Sequence, residues 1–193
     1  KRRKYLLNLN VTSVERLSDR HVLIDLSHEK KKKKMLPGQF VEVRVDHSPS
    51  TFLRRPISIN YVDRKTNELW LLVAIVGEGT RQLSLINKGS KLNCLLPLGN
   101  GFTMPTSKNE HILLVGGGVG TAPLLFLGKE IRNYGADVSF LLGARSAKDI
   151  LELDKFRSIG QVFITTEDGS MGQKGFVTNH TILTEKTFTR ISM

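Results

Sequence analysis

Hydrophobic and polar residues alternate in six short segments of the N-terminal half of the chain. A period of two is typical of a strand that buries one face and exposes the other. Turn signals such as Pro37-Gly38 separate the segments, and only residues 80–87 read as a helix. Six short strands with this spacing favour a closed antiparallel barrel. The segments are residues 5–11, 22–26, 41–45, 57–61, 69–76 and 92–96.

The C-terminal half has a different pattern, in which short apolar runs alternate with helical segments. Strands are predicted at residues 111–115, 138–145, 161–169 and 188–193, and helices at 121–135 and 149–159. This alternation indicates βαβ units and a mostly parallel sheet. We therefore predict a β + α/β fold: a six-stranded antiparallel barrel over residues 1–103, then a Rossmann-like α/β domain over residues 107–193.

The positive charge is concentrated in the first of these two regions. The sequence has a net charge of +11, and residues 1–106 hold 19 basic against 9 acidic side chains. Five of the charges are the run Lys30–Lys34, which lies between two predicted strands and is interpreted as a solvated hairpin tip. No aromatic residues are interleaved with this run, so nucleic-acid binding is the weaker interpretation. A basic surface also suits an acidic protein partner.

Cysteine content and hydropathy exclude several classes of protein. Cys94 is the single cysteine, so the sequence contains neither a disulfide framework nor a cysteine set for zinc or an iron–sulfur cluster. In "KLNCLLP" it is interpreted as a small buried hydrophobic residue. No apolar run reaches the roughly 20 residues of a bilayer span, and the first residues lack a signal-peptide pattern. We expect a soluble, cytoplasmic protein without a metal site of its own.

A cluster of glycines follows the first predicted strand of the α/β region. The stretch "LLVGGGVGTAPLL" leads from the strand into Gly116, Gly117, Gly118 and Gly120, and then into a helix. Glycines at this place let main-chain amides approach a pyrophosphate. The match to the dinucleotide fingerprint is imperfect, because Thr121 stands where its last glycine belongs. The alternative is a tight strand-to-helix turn with no ligand.

Two further segments add to the picture of a nucleotide site. The loop "TTEDGSMGQKGFVT" follows the third strand, where ligands of open α/β sheets lie, although Asp168 and Gly169 suit a simple turn equally well. The second strand ends at Ala144-Arg145, without the acidic residue that simple NAD sites place there. The preference between NAD and NADP therefore stays open.

The stretch "TFLRRPISINY" holds two arginines at the entrance of a predicted strand. Pro56 fixes its own φ and forces Arg55 into an extended conformation. A guanidinium held in this way suits a phosphate or a carboxylate.

Seven segments in order resemble the electron transfer subunit of class 1B dihydroorotate dehydrogenase, within the ferredoxin reductase superfamily. The resemblance covers nearly the whole chain. In that superfamily the barrel binds a flavin and the α/β domain a nicotinamide cofactor. The segments are "LPGQFVEVRVD", "FLRRPISI", "VGEGTRQL", "LPLGNGF", "LLVGGGVGTAPL", "FLLGARS" and "TEDGSMGQKGFVT".

The resemblance implies a set of cofactor-binding residues. Arg55 would pair with the FAD pyrophosphate, Ser58 would face flavin N5, and Arg54 would face only solvent or an acidic neighbour. The implied FAD residues are Arg55, Pro56, Ile57, Ser58, Leu72, Val73, Ala74, Gly79 and Thr80. The implied NAD residues are Gly116, Gly117, Gly118, Gly120, Thr121, Asp168 and Gly169.

The resemblance also implies an activity and a partner. Electrons from dihydroorotate would pass from an FMN-containing catalytic subunit, in a heterotetramer, through a [2Fe-2S] cluster and FAD to NAD. The family's chains continue into a cysteine cluster that is absent before Met193, so we expect a C-terminally truncated chain and an incomplete α/β domain.

Three alternatives remain at this stage. The chain resembles other flavin reductases of the superfamily, such as sulfide dehydrogenase or oxygenase reductase subunits. A non-catalytic FAD-binding fragment is a second alternative. A basic nucleic-acid binder with an inert nucleotide fold is the third.

Overall fold

A computed structural model describes residues 3–28, 34–48 and 50–192. The chain divides into two compact units, Lys1–Phe102 and Thr103–Met193. Of the predicted hairpin tip at Lys30–Lys34, only Lys34 lies within the described residues, and it is exposed.

The first unit is the predicted closed six-stranded antiparallel barrel. Its strand order is β1-β2-β5-β4-β3-β6. A single short helix, α1 (Glu78–Ser84), follows β5 among the described residues and begins two residues before its predicted start. The strands are β1 (Tyr5–Ser18), β2 (His21–Ser27), β3 (Phe40–Val43), β4 (Arg55–Asp63), β5 (Glu68–Ala74) and β6 (Lys91–Leu98).

Alternating burial along β6 shows why these sequences form a barrel. Leu92, Cys94, Leu96 and Leu98 are buried, and the residues between them are exposed or half-buried. Cys94 has no exposed surface, which confirms its interpretation as a core residue. The period of two therefore turns one face of each strand into the barrel core.

The second unit is a parallel five-stranded sheet with the order β10-β9-β8-β7-β11. All four strand pairs are parallel. The strands are β7 (His111–Gly117), β8 (Asp137–Ala144), β9 (Gln161–Thr166), β10 (Gln173–Lys174) and β11 (Arg190–Ser192), and the helices are α2 (Leu124–Tyr134), α3 (Leu153–Arg157) and α4 (Ile182–Glu185). The short β10 and α4 were not predicted from the sequence.

Both predicted helices of this unit are shorter than their patterns. The prediction of a helix over 149–159 is wrong at its start, because Glu152 has a left-handed backbone with φ of 54° and α3 begins only after it. The pattern over 121–135 becomes α2 only from Leu124, since a 3₁₀ turn occupies residues 118–121. The helix ends at Gly135 with φ of 102°, as predicted. Among the described residues, no helix has the length and apolar character to cross a membrane.

Gly128 provides a stability test of the contact between α2 and β8. A Cβ atom at Gly128 would lie 2.7 Å from Cε1 of the buried Phe140 ring. Alanine would gain up to about 1 kcal/mol in helix propensity. Overpacking against Phe140 costs about 1–3 kcal/mol and outweighs that gain. We expect Gly128→Ala to lower the free energy of unfolding in urea titrations, and an unchanged or higher stability would contradict this packing.

Candidate functional site

The barrel opens between β4 and β5, where the predicted flavin residues lie. The ladder between these strands runs from Ile59–Leu71 to Asp63–Glu68. Within the described chain it pairs none of residues 55–58 or 72–74, which bond only to β3 and β2 respectively. The start of β4 and the end of β5 therefore lie outside the β4–β5 ladder, and main-chain groups on these edges need another hydrogen-bond partner.

Arg55 and Gly79 come together at this opening. A Cβ atom at Gly79 would stand 3.2 Å from Cδ of Arg55 and 3.1 Å from Cγ2 of Thr51. The absence of a side chain at Gly79 therefore gives the half-buried Arg55 side chain room to lie close against the first turn of α1. The guanidinium donates from Nε and Nη2 to the main-chain oxygen of Leu53, at 3.3 and 3.0 Å. These bonds orient the cation at the rim of the opening.

The Thr80 side chain is used by the turn that precedes α1. Its Oγ1 accepts hydrogen bonds from the amides of Val76 and Gly77, at 2.9 and 3.1 Å, and donates to the Gly77 oxygen. The hydroxyl thus fixes the entry into the helix. A contact of Thr80 with a cofactor would come from its main chain.

The remaining predicted flavin residues differ in what they expose. Pro56 and Ser58 are exposed on β4, whereas Ile57 between them is 8% exposed. The side chains of Leu72 and Val73 are buried, with 2% and 1% of their surface exposed. These buried residues, and the neighbouring half-buried Ala74, line the opening with their backbone. The site consists of main chain plus the side chains of Arg55, Pro56 and Ser58.

Arg54 has a structural role that the sequence did not indicate. Its Nη1 donates to the main-chain oxygen of Asn93 at 3.1 Å, and its Nη2 donates to Asn93 Oδ1 at 2.5 Å. Asn93 in turn donates to Asn8 Oδ1 at 2.7 Å. Nη1 of Arg54 also donates to the main-chain oxygen of Glu42 in β3 at 3.4 Å. The expectation that Arg54 faces only solvent or an acidic neighbour is therefore wrong, because Arg54 bonds to neutral acceptors on β3 and β6, and Asn93 extends the contact to β1.

These residues fit a flavin dinucleotide. The opening offers unpaired main-chain groups for a flat ring system, an exposed hydroxyl at Ser58, and one oriented cation beside a helix turn whose glycine has no side chain. A pyrophosphate suits such a cation through charge-assisted hydrogen bonds.

The glycines after β7 fall into two groups. Gly116 is required by packing, because a Cβ atom there would lie 2.7 Å from Cδ1 of Leu124. Gly117 and Gly120 are exposed, and a Cβ at Gly120 would meet nothing within 4 Å. Gly118 has open space too, but its φ of 54° favours glycine on conformational grounds. Thr121 donates its hydroxyl to the Gly118 oxygen at 2.9 Å and so holds the turn.

A pocket of about 230 Å³ lies at the carboxyl ends of β7, β8 and β9. It contains two of the predicted residues, Gly117 and Gly118, but not the others. The sequence analysis missed most of its lining, although strand ends are the expected place for ligand contacts. The other lining residues are Gly143, Ala144, Arg145, Thr165, Glu167, Gly175, Phe176 and Val177.

Asp168 and Gly169 lie in a self-contained turn beside this pocket. Asp168 Oδ1 accepts hydrogen bonds from the amide and the hydroxyl of Ser170, at 2.9 and 2.6 Å. These bonds hold the pKa of the Asp168 carboxyl below its ordinary value. Gly169 has a φ of 77° in the same turn. The geometry supports the simple turn, and a cofactor role for either residue stays a prediction.

Curated relatives of this sequence carry the name dihydroorotate dehydrogenase B (NAD(+)), electron transfer subunit. The relative from Bacillus velezensis is 38% identical over 173 residues, which are 89% of this chain and 68% of that protein. This chain belongs to the dihydroorotate dehydrogenase B electron transfer subunits. The relative from Fusobacterium nucleatum is 40% identical over 144 residues, 74% of this chain and 56% of the relative. The chain thus spans little more than half of that relative's length. No protein-family profile matches the sequence.

Solved structures show the same fold as this electron transfer subunit. The NADH-dependent reduced ferredoxin-NADP oxidoreductase has a TM-score of 0.80 at 27% identity, covering 93% of this chain and 64% of its own. Phthalate dioxygenase reductase has a TM-score of 0.74 at 18% identity, covering 96% of this chain and 59% of its own. The fold is that of the ferredoxin reductase superfamily, as expected.

Replacing each of the two adjacent arginines by alanine should affect different properties of the protein. We expect Arg55→Ala to weaken FAD binding by about 1.5–3 kcal/mol, the range of a hydrogen bond to a charged group. The melting temperature should change little, because the bonds of Arg55 are local and exposed. Arg54→Ala should instead lower the free energy of unfolding by about 1–3 kcal/mol. Equal FAD dissociation constants for Arg55→Ala and the parent, measured by fluorescence titration, would remove Arg55 from the site.

A pair of glycine variants separates ligand approach from packing. We expect Gly120→Ala to leave thermal stability unchanged and to weaken NADH binding by about tenfold or more, since a pyrophosphate needs close main-chain approach there. Gly116→Ala should lower the free energy of unfolding by about 1–3 kcal/mol through its clash with Leu124. Calorimetric titration with NADH and thermal melts measure both effects. An NADH affinity of Gly120→Ala equal to the parent's would mean that this glycine serves only the turn.

Proposed function

We propose that this chain is the flavin-carrying electron transfer component of an NAD-linked dihydroorotate dehydrogenase in pyrimidine biosynthesis. The observation that carries the proposal is its 38% identity to an electron transfer subunit over 173 residues, which are 89% of this chain. In this role the chain takes electrons from a catalytic subunit and delivers them to NAD.

The barrel opening supports FAD as the resident cofactor. Arg55 supplies the positive charge for a pyrophosphate, and the first turn of α1 lies beside it at Gly79. The exposed Ser58 hydroxyl can donate to a ring nitrogen, and the main chain of residues 72–74 faces the opposite side of the opening. Pro56 gives the ring an apolar contact without a competing N–H donor. When bound, FAD supplies the exchange between electron-pair and single-electron transfer.

The glycine turn after β7 and the pocket beside it support a nicotinamide dinucleotide as the second ligand. Gly117 and Gly120 leave main-chain groups open to an incoming pyrophosphate. The pocket lies at the carboxyl ends of three parallel strands, the usual ligand position of an open α/β sheet. The protein's own contribution is to bind and orient this ligand.

The partner and the cluster are proposed from the family resemblance. An FMN-containing catalytic subunit would accept dihydroorotate and join this subunit in a heterotetramer. A [2Fe-2S] cluster needs four ligands, whereas this sequence has one cysteine, Cys94, without exposed surface. The residues present do not fit a cluster, and no step is assigned to one in this chain.

A second candidate is a reductase that serves another acceptor within the same superfamily. The similarity in fold to phthalate dioxygenase reductase favours this class. The two functions differ in their partner, because only the first predicts electron flow from dihydroorotate through a catalytic subunit. A fragment that binds FAD without turnover is distinguished by its lack of NADH oxidation.

FAD reconstitution provides the direct test of the proposal. The purified chain, incubated with FAD and desalted, should show flavin absorption bands with a stoichiometry close to one. Added NADH should bleach these bands under anaerobic conditions, and the chain should form a complex with the dihydroorotate dehydrogenase catalytic subunit in size-exclusion chromatography. A chain that takes up no FAD would overturn the proposed function. Reduction by NADH without binding to that catalytic subunit would favour the second candidate.

A further inference from the structure

A buried hydroxyl without a partner lies at the pocket between β7, β8 and β9. Thr165 is 1% exposed, and its Oγ1 has no hydrogen-bond partner among the residues that the structure describes. Leaving a buried hydroxyl unpaired is unfavourable, and such groups in native proteins call for an explanation. Thr165 is also one of the residues that line the pocket.

The neighbouring threonine shows what a structural hydroxyl looks like at this place. Thr166, with no exposed surface, donates from Oγ1 to the Met171 oxygen at 2.8 Å and accepts from the Met171 amide at 3.0 Å. These two bonds close the turn after β9. Thr165 and Thr166 are the same residue type and are both buried. Their surroundings differ because successive strand residues point to opposite faces of the sheet.

The pocket around Thr165 is lined largely by backbone. Four lining residues are glycines, at 117, 118, 143 and 175. A Cβ atom at Gly143 would stand 3.1 Å from Thr165 Oγ1 and 2.5 Å from Cγ1 of Val177, so a side chain at residue 143 would crowd the hydroxyl from the neighbouring strand. The volume of about 230 Å³ is smaller than that of a site for a whole drug-sized ligand, roughly 300–1,000 Å³. The pocket therefore suits one part of a larger ligand.

We propose that Thr165 is a ligand-binding residue whose hydroxyl forms a hydrogen bond with the adenosine half of a nicotinamide dinucleotide. The inference rests on the proposed NAD-linked function and adds a residue to its binding site. In open α/β sheets the adenosine ribose lies at the end of the second strand. That strand end is Gly143–Arg145 here, and these residues line the same pocket as Thr165. Arg145 and Glu167 contribute one charge of each sign to the same lining.

Substitutions at Thr165 and Thr166 test this assignment, because we expect them to change nucleotide affinity and melting temperature in different ways. Thr165→Val removes an unpaired hydroxyl, so the melting temperature should stay the same or rise, whereas NADH and ADP should bind about three- to tenfold more weakly. Thr165→Ser keeps the hydroxyl and should retain affinity within about twofold. Thr166→Val removes two hydrogen bonds and should lower the melting temperature. Isothermal titration of the full chain with NADH and with ADP, together with thermal melts, measures these effects.

Each outcome decides between defined possibilities. Unchanged NADH and ADP affinities in Thr165→Val, in a parent that binds both, would overturn the role of Thr165 alone. Weaker NADH binding with unchanged ADP binding would overturn the assignment to the adenosine half. A lower melting temperature in Thr165→Val with unchanged affinities would make the hydroxyl structural. A parent that binds FAD but neither NADH nor ADP would overturn the nucleotide site of the proposed function, and the inference with it.

Discussion

The candidate flavin site depends on the hydrogen-bond ladder between β4 and β5, which pairs the second half of β4 but not its first half. Pairing stops at Ile59 and Leu71, and the first half of β4 then has a neighbour on one side only. Pro56 lies in this half and can donate to neither neighbour. A barrel normally removes every strand edge, so an opening leaves main-chain groups that need another partner. This constraint brings together the start of β4, the end of β5 and the first turn of α1.

The arginine pair at residues 54 and 55 shows how adjacent identical side chains take different roles. Successive residues at a strand entrance point in different directions, so one side chain crosses the sheet and the other follows the rim. Arg54 binds Asn93 and stabilises the association of three strands. Arg55 donates to the main-chain oxygen of nearby Leu53 and lies against Gly79. Stability and ligand recognition are therefore divided between two neighbouring residues.

The same division recurs in the α/β unit. Gly116 and Thr121 hold the turn after β7 through packing and a hydrogen bond, whereas Gly120 meets nothing that requires a glycine. At the end of β9, Thr166 closes a turn and Thr165 faces the pocket without a partner. In each case the residue that the fold does not use lies where a nucleotide is expected. A rigid turn beside open main chain is a suitable arrangement for binding a pyrophosphate, because the protein loses little conformational entropy on binding.

The sequence by itself determined the six-stranded barrel, the parallel sheet and the glycine turn, because periodicity and turn residues act over a few neighbouring positions. It also placed Arg55 at a strand entrance through Pro56. The early start of the helix over 149–159 was wrong, since Glu152 has a left-handed backbone and α3 begins only after it. Only the tertiary structure decided where the β4–β5 ladder stops, which arginine is structural, and which threonine keeps a free hydroxyl at a pocket. These outcomes depend on partners such as Asn93, Gly79 and Gly143, which are distant in sequence and are brought close only by folding.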